Sequence, residues 1–152
     1  MELPKIVQEI QYMLTPAIMI SSAALLLLGF QNKFSALFNR FRALNEGRRR
    51  LAQKEARNPL ENTRLENLEE QLNHLMKRAT YVKNAILLTY SAILCFVSTS
   101  LLLFLNTYTA LGLLNFVMIF FLTGLLLVLV SSIFMLIEAG IAFNIMKLER
   151  KS

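Results

Sequence analysis

Charged positions fall in blocks along this chain, and the blocks define its elements. From residue 84 to residue 137 there is no Asp, Glu, Lys or Arg. A membrane-spanning helix needs about 20 apolar residues, so this charge-free stretch holds two. Their joint is Asn106-Thr107-Tyr108-Thr109-Ala110-Leu111-Gly112, where polar, turn-prone residues interrupt runs of Leu, Phe and Val. The pattern predicts a second span over residues 85–105 and a third over residues 115–137. The third is the strongest, with 16 Leu, Ile, Val or Phe in residues 116–137. At roughly 0.3–0.6 kcal/mol each, these favour insertion by about 5–10 kcal/mol before the polar positions are subtracted. A first and less hydrophobic span covers residues 12–30. Thr15, Pro16, Ser21 and Ser22 lie in its outer half and Leu25, Leu26, Leu27 and Leu28 in its inner half. Pro16, near the start, predicts some kink.

Residues 31–84 show a different period. Phe34, Leu37, Phe41, Leu44, Arg48 and Leu51 alternate spacings of three and four, and so do Leu65, Leu68, Leu72, Leu75, Ala79 and Val82. These are two heptad seams, as in a coiled coil. Between them, Asn58-Pro59-Leu60-Glu61 reads as a helix start, with Asn58 at the N-cap, Pro59 at the first helical position and Glu61 able to close a capping box. The residue before a proline resists the α region, so the preceding helix should end by Arg57. Two arms of similar length, facing seams and a capped turn predict an antiparallel helical hairpin. Asn45-Glu46-Gly47 marks a break or bend in the first arm.

The expected fold is therefore all-α: one membrane domain of three transmembrane helices, with the hairpin between spans one and two. Charge orients it. Residues 31–84 carry 12 Lys/Arg against 6 Asp/Glu, and the tail, residues 142–152, is basic. The excess of Lys and Arg should be cytoplasmic, which places the N-terminus and the 106–112 turn outside. The start, Met1-Glu2-Leu3-Pro4-Lys5, lacks the basic region of a cleavable signal peptide. The single cysteine, Cys95, rules out an internal disulfide framework. Arg48-Arg49-Arg50 would stand roughly 25 Å from the membrane on an upright arm. That is beyond the Debye length of about 8 Å, and favours a solvated face or an acidic partner over lipid.

No catalytic, cofactor-binding or metal-ligand motif is legible. There is no phosphate-binding Gly-rich loop, no Gly-x-Ser-x-Gly and no Cys/His cluster. His74 reads as a solvated helix residue. The strongest candidate is Glu138, which follows the third span directly; a carboxylate there is costly unless it faces protein, water or a cation. Lys83 and Arg40 are its expected ion-pair partners. Gly124, Ser131 and Glu138 are spaced by seven, as are Thr15, Ser22 and Gly29 in the first span and Ser91 and Ser98 in the second. Small and polar residues on one face let membrane helices approach closely and hydrogen-bond.

Leu14-Thr15-Pro16-Ala17-Ile18-Met19-Ile20-Ser21, then Gln31-Asn32-Lys33 and Asn39-Arg40-Phe41-Arg42-Ala43-Leu44-Asn45-Glu46, with the two later spans ending at Ile137-Glu138, resemble a family of small bacterial integral membrane proteins known only as a domain of unknown function. The resemblance runs from about residue 10 to residue 148 and implies the same topology in a bacterial inner membrane. It implies no activity. An Asp-Arg pair common in that family corresponds to Asn39-Arg40 here.

The expected function is that of a non-enzymatic membrane protein which self-assembles or serves as an accessory or scaffold subunit of a larger complex. Its expected partners are the lipid bilayer, further copies or that complex, with no nucleic acid and no small-molecule substrate. The alternative is an ion- or proton-conducting homo-oligomer with Glu138 in a polar pathway. Its plan is similar to that of proton-driven stator proteins in topology alone.

Overall fold

A computed structural model describes residues 3–53, 58–109 and 112–149. All three elements are helices: α1 (Leu3–Ala52), α2 (Pro59–Thr109) and α3 (Leu114–Glu149). Their 50, 51 and 36 residues correspond to roughly 75, 77 and 54 Å at 1.5 Å per residue. A bilayer core of about 30 Å takes up less than half of α1 or α2. All three are long and apolar enough to cross a membrane.

α1 runs without interruption through Asn45-Glu46-Gly47, where the sequence suggested a break. Arg50 Nη2 donates to Glu46 Oε1 at 2.7 Å, one turn away across Gly47, and this pair supports the helix where glycine weakens it. Pro16 lies inside α1 and is buried. The end of the first arm expected near Arg57 lies outside the described residues. α2 begins at Pro59. The Asn58 amide donates to Glu61 Oε2 at 3.3 Å, and the Glu61 and Asn62 amides donate to the Asn58 carbonyl. Two of the amides a helix start leaves unpaired, those of Asn58 and Glu61, are thereby engaged, and the Asn62 amide makes the first regular bond of the helix.

The second turn is tighter than the sequence suggested. Asn106, Thr107 and Thr109 belong to α2, not to the connection. The Thr107 and Thr109 hydroxyls donate to the Leu103 and Leu105 carbonyls one turn back, so neither residue opens the helix. Asn106 Oδ1 accepts the Leu113 amide at 2.9 Å and closes the turn from inside α2. Gly112 has φ of +66°, the left-handed region that side chains other than glycine rarely enter.

The chain packs as two compact units: Met1–Gly29 with Ala85–Ile133, and Phe30–Asn84 with Phe134–Ser152. The borders after Gly29 and Asn84 fall within one residue of the expected ends at residues 30 and 84, whereas the border after Ile133 falls four residues before the expected end at residue 137. In the first unit, Ala23, Ala92 and Phe96 form the core, with Met19, Ile20 and Phe121 packed against it. Leu25, Leu94 and Met118 point outward at 71%, 67% and 71% exposure. Helices apolar on all sides, with large side chains turned outward, suit lipid as the solvent.

In the second unit the arms of α1 and α2 run antiparallel. Arg48 Nη1 lies 3.8 Å from Glu69 Oε1, and nearer the spans Phe34 and Lys83 line one groove. Every residue of the two heptad seams is buried or half-buried, and Leu37, Leu72, Leu75 and Val82 are the most enclosed.

Candidate functional site

Each helix contributes one charged residue to a single cluster in the second unit. Glu138 on α3 is fully buried. Arg78 on α2 directs Nε and Nη2 to Glu138 Oε1, both at 2.9 Å. Lys33 on α1 forms an ion pair with Oε2. That second contact is ionic without an aligned hydrogen bond. Two cations on one carboxylate leave the cluster with one net positive charge.

The local sequence explains how each side chain arrives there. Val117, Gly124, Ser131 and Glu138 repeat every seven residues and all are buried, so Glu138 continues the inward face of α3. Lys33 lies between buried Phe30 and Leu37, three and four residues away on the same face of α1. Arg78 is four residues from Val82 and three from Tyr81. The Tyr81 ring meets Phe134 at 6.1 Å between centroids, and Phe134 is four residues before Glu138. Two neighbouring positions on α2 thus engage two neighbouring positions on α3.

The bases expected beside Glu138 were Lys83 and Arg40. Lys83 instead lines the groove between the arms, and Arg40 is exposed on α1. The reason is phase. Successive helix positions are separated by about 100°, and the face of α2 turned to α3 carries Arg78 and Tyr81, beside the seam of Leu75, Ala79 and Val82. Charge count alone does not separate Arg78 from Lys83; the aromatic Tyr81 three residues after Arg78 is the one signal that could have done so.

The seven-residue stripes divide. Gly124, Ser131 and Glu138 are buried, whereas Thr15, Ser22, Gly29 and Ser91 are exposed and Ser98 is half-buried. One residue along from these stripes, Pro16, Ala23 and Phe30 on α1 and Ala92 and Thr99 on α2 are buried. Both expected faces were misplaced by one residue. The hydroxyls of Thr15, Ser22, Ser91 and Ser98 donate to carbonyls of their own helix four residues back. Such self-pairing frees them from any need to face another helix. Buried Ser131 does likewise, donating to Val128 at 2.8 Å, where Ser132 also donates. Ser131 therefore contributes smallness to the packed face, with its polarity already satisfied.

Gly124 lies close against Phe96 in the first unit. A Cβ there would lie 2.7 Å from Phe96 Cε1, and Phe96 in turn meets Phe121 at 5.8 Å between ring centroids. His74 is exposed, with Nε2 3.7 Å from Glu70 Oε1. Cys95 is a half-buried free thiol.

Three helices long and apolar enough to cross a membrane make this a multi-pass membrane protein by length and composition. The chain belongs to the family described as Protein of unknown function (DUF2721), which it matches over residues 13–148. No curated protein and no solved structure matches it.

Proposed function

We propose that this is a non-enzymatic integral membrane protein that self-assembles or acts as an accessory or scaffold subunit of a larger membrane complex. Its arms would stand on the cytoplasmic side of a bacterial inner membrane, with the N-terminus and the Gly112 turn outside. The excess of Lys and Arg in residues 31–84 supports that orientation.

The observation that carries the reading is the engagement of Glu138. Both carboxylate oxygens face cations from the same chain. A carboxylate so held joins three helices and offers little to a passing ion. The alternative, a conducting homo-oligomer with Glu138 in its pathway, needs that side chain to face a shared lumen. Here Glu138 and Ser131 are buried within one copy.

The test is mass measurement of the complex extracted in native lipid, combined with proton and cation flux in vesicles. A scaffold or accessory subunit gives no flux, and a defined mass from further copies or foreign subunits. Flux that Glu138→Gln abolishes while the assembly mass is unchanged would establish the conducting alternative instead.

A further inference from the structure

The two flanks of the arm seam are not equivalent. Lys33 and Arg78 directly precede the seam residues Phe34 and Ala79, and both meet Glu138 of α3. Phe38 and Met76 directly follow the seam residues Leu37 and Leu75, and so lie on the opposite flank. That flank is open. It holds an apolar groove of about 220 Å³, floored by Phe34, Phe41, Leu75 and Ala79. Phe38 and Met76 on its rims are 51% and 53% exposed.

Farther toward the connection between the arms, the same flank is charged, with one sign on each arm. Arg42 and Arg49 continue the row of Phe38 along α1, and Asn73, Glu69 and Glu66 continue the row of Met76 along α2. Arg48 and Arg50 have carboxylates within the chain, those of Glu69 and Glu46. Arg49 and Glu66 are exposed, and neither pairs with a described residue.

The register of the arms makes these two charges complementary between copies. Arg48 lies against Glu69 and Phe34 shares the groove with Lys83, which fixes the levels at which the antiparallel arms match. Arg49 is within about 3 Å of the level of Glu66, at 1.5 Å per residue. Phe38 is level with Ala79, between Met76 and Thr80. A two-fold axis along the hairpin, in front of the groove, keeps these levels and sets α1 of one copy opposite α2 of the other.

We propose that two copies of this chain dock groove to groove about that axis, so that their arms form a four-helix bundle. Phe38 packs on the partner's Met76, and Arg49 pairs with the partner's Glu66. The face is self-complementary, so each contact occurs twice. Like charges are not opposed: Arg42 comes level with Asn73, and Lys83 with Ser35, both uncharged. α3 engages the other flank and leaves this one open. The proposal rests on the self-assembly reading above and names the surface through which it occurs.

The test uses the full-length chain fused to a donor or an acceptor fluorescent protein and reconstituted in lipid vesicles. Association is read from energy transfer as added lipid dilutes the protein. Arg49→Glu or Glu66→Arg alone turns both symmetry-related attractions into repulsions and should weaken association about tenfold. Arg49→Glu and Glu66→Arg in one chain should restore it, because the pair is then merely reversed. In a Cys95→Ala background, Arg49→Cys copies should form a disulfide with Glu66→Cys copies and not with one another. Energy transfer that ignores the single reversals, a double reversal that fails to restore it, or Arg49→Cys copies that cross-link only to one another would overturn the proposal alone. Wild-type protein that gives no energy transfer at any dilution would overturn the self-assembly reading with it.

Discussion

Gly124 on α3 lies against the ring of Phe96 on α2, so closely that a Cβ would come within 2.7, 3.0 and 3.1 Å of three ring carbons. The ring has no free space to retreat into, being 1% exposed and packed with Ala92 and Phe121. Gly124→Ala should therefore destabilise the fold by about 1–3 kcal/mol, the usual cost of overpacking. Thermal unfolding in a fixed detergent measures this. Pairing it with Phe96→Leu should recover part of the loss, because the contacting ring edge is gone. Equal losses with and without Phe96→Leu would show that the strain arises elsewhere.

The Glu138 cluster predicts an unequal ranking of its members. Arg78→Ala removes the hydrogen bond from Nε and the ion pair from Nη2 to Oε1 and should cost about 1.5–3 kcal/mol, as for bonds to a charged group. Lys33→Ala should cost less, about 0.5–1 kcal/mol, because that ammonium is partly exposed. Replacing Arg78 and Glu138 together by Leu should cost less than Arg78→Ala alone, since no buried charge is then left unpaired. Chemical denaturation of the four proteins orders them directly. If the double variant is the least stable, the cluster does more than neutralise itself.

Ser131 is buried, and its hydroxyl is satisfied by Val128. Ser131→Ala should change stability by less than about 0.5 kcal/mol, because no orphan donor or acceptor is created on another helix. Ser131→Leu should cost about 1–3 kcal/mol through added volume. A large loss in the alanine variant would reveal a cross-helix bond.

Gly112 has open space around its Cα but a positive φ. Gly112→Ala should cost about 1–2 kcal/mol from backbone strain alone. Gly112→Asn should cost less, since asparagine visits that region more readily. Comparison of unfolding midpoints decides between strain and packing, which predict opposite orders for these two substitutions.

Orientation can be tested with single cysteines placed at Arg49 and Leu114 after Cys95→Ala. In intact cells a membrane-impermeant maleimide should label position 114 and leave position 49 unlabelled, and inverted vesicles should give the reverse. The same labelling pattern in both preparations would reject the proposed topology.

The long features of the fold were readable from the sequence because they depend on counts. A charge-free stretch that holds two spans, and heptads either side of Asn58-Pro59, need no knowledge of what each helix meets. The faces were harder to read. Thr15 and Ser22 were expected inside, but Pro16 and Ala23 are buried; a hydroxyl that bonds its own helix gives no sign of where it points. Glu138 stood out as an acid directly after a span, yet its partners depended on which side of α2 meets α3. The seam of Leu75, Ala79 and Val82 records the pairing of the two arms. Nothing in that period reports the contact of Arg78 and Tyr81 with a third helix from much later in the chain.

That last separation has a consequence for biosynthesis. Lys33 and Arg78 leave the ribosome well before Glu138, and until then two cations converge on a place that holds no anion. The arms can zip together along their apolar seams, but their root stays electrostatically open. Only when the third hydrophobic segment has been made does the neutralising charge arrive. A chain stalled or cut before residue 138 would keep an unquenched positive pair at its root, a difference by which a protease or chaperone could tell an unfinished chain from a finished one.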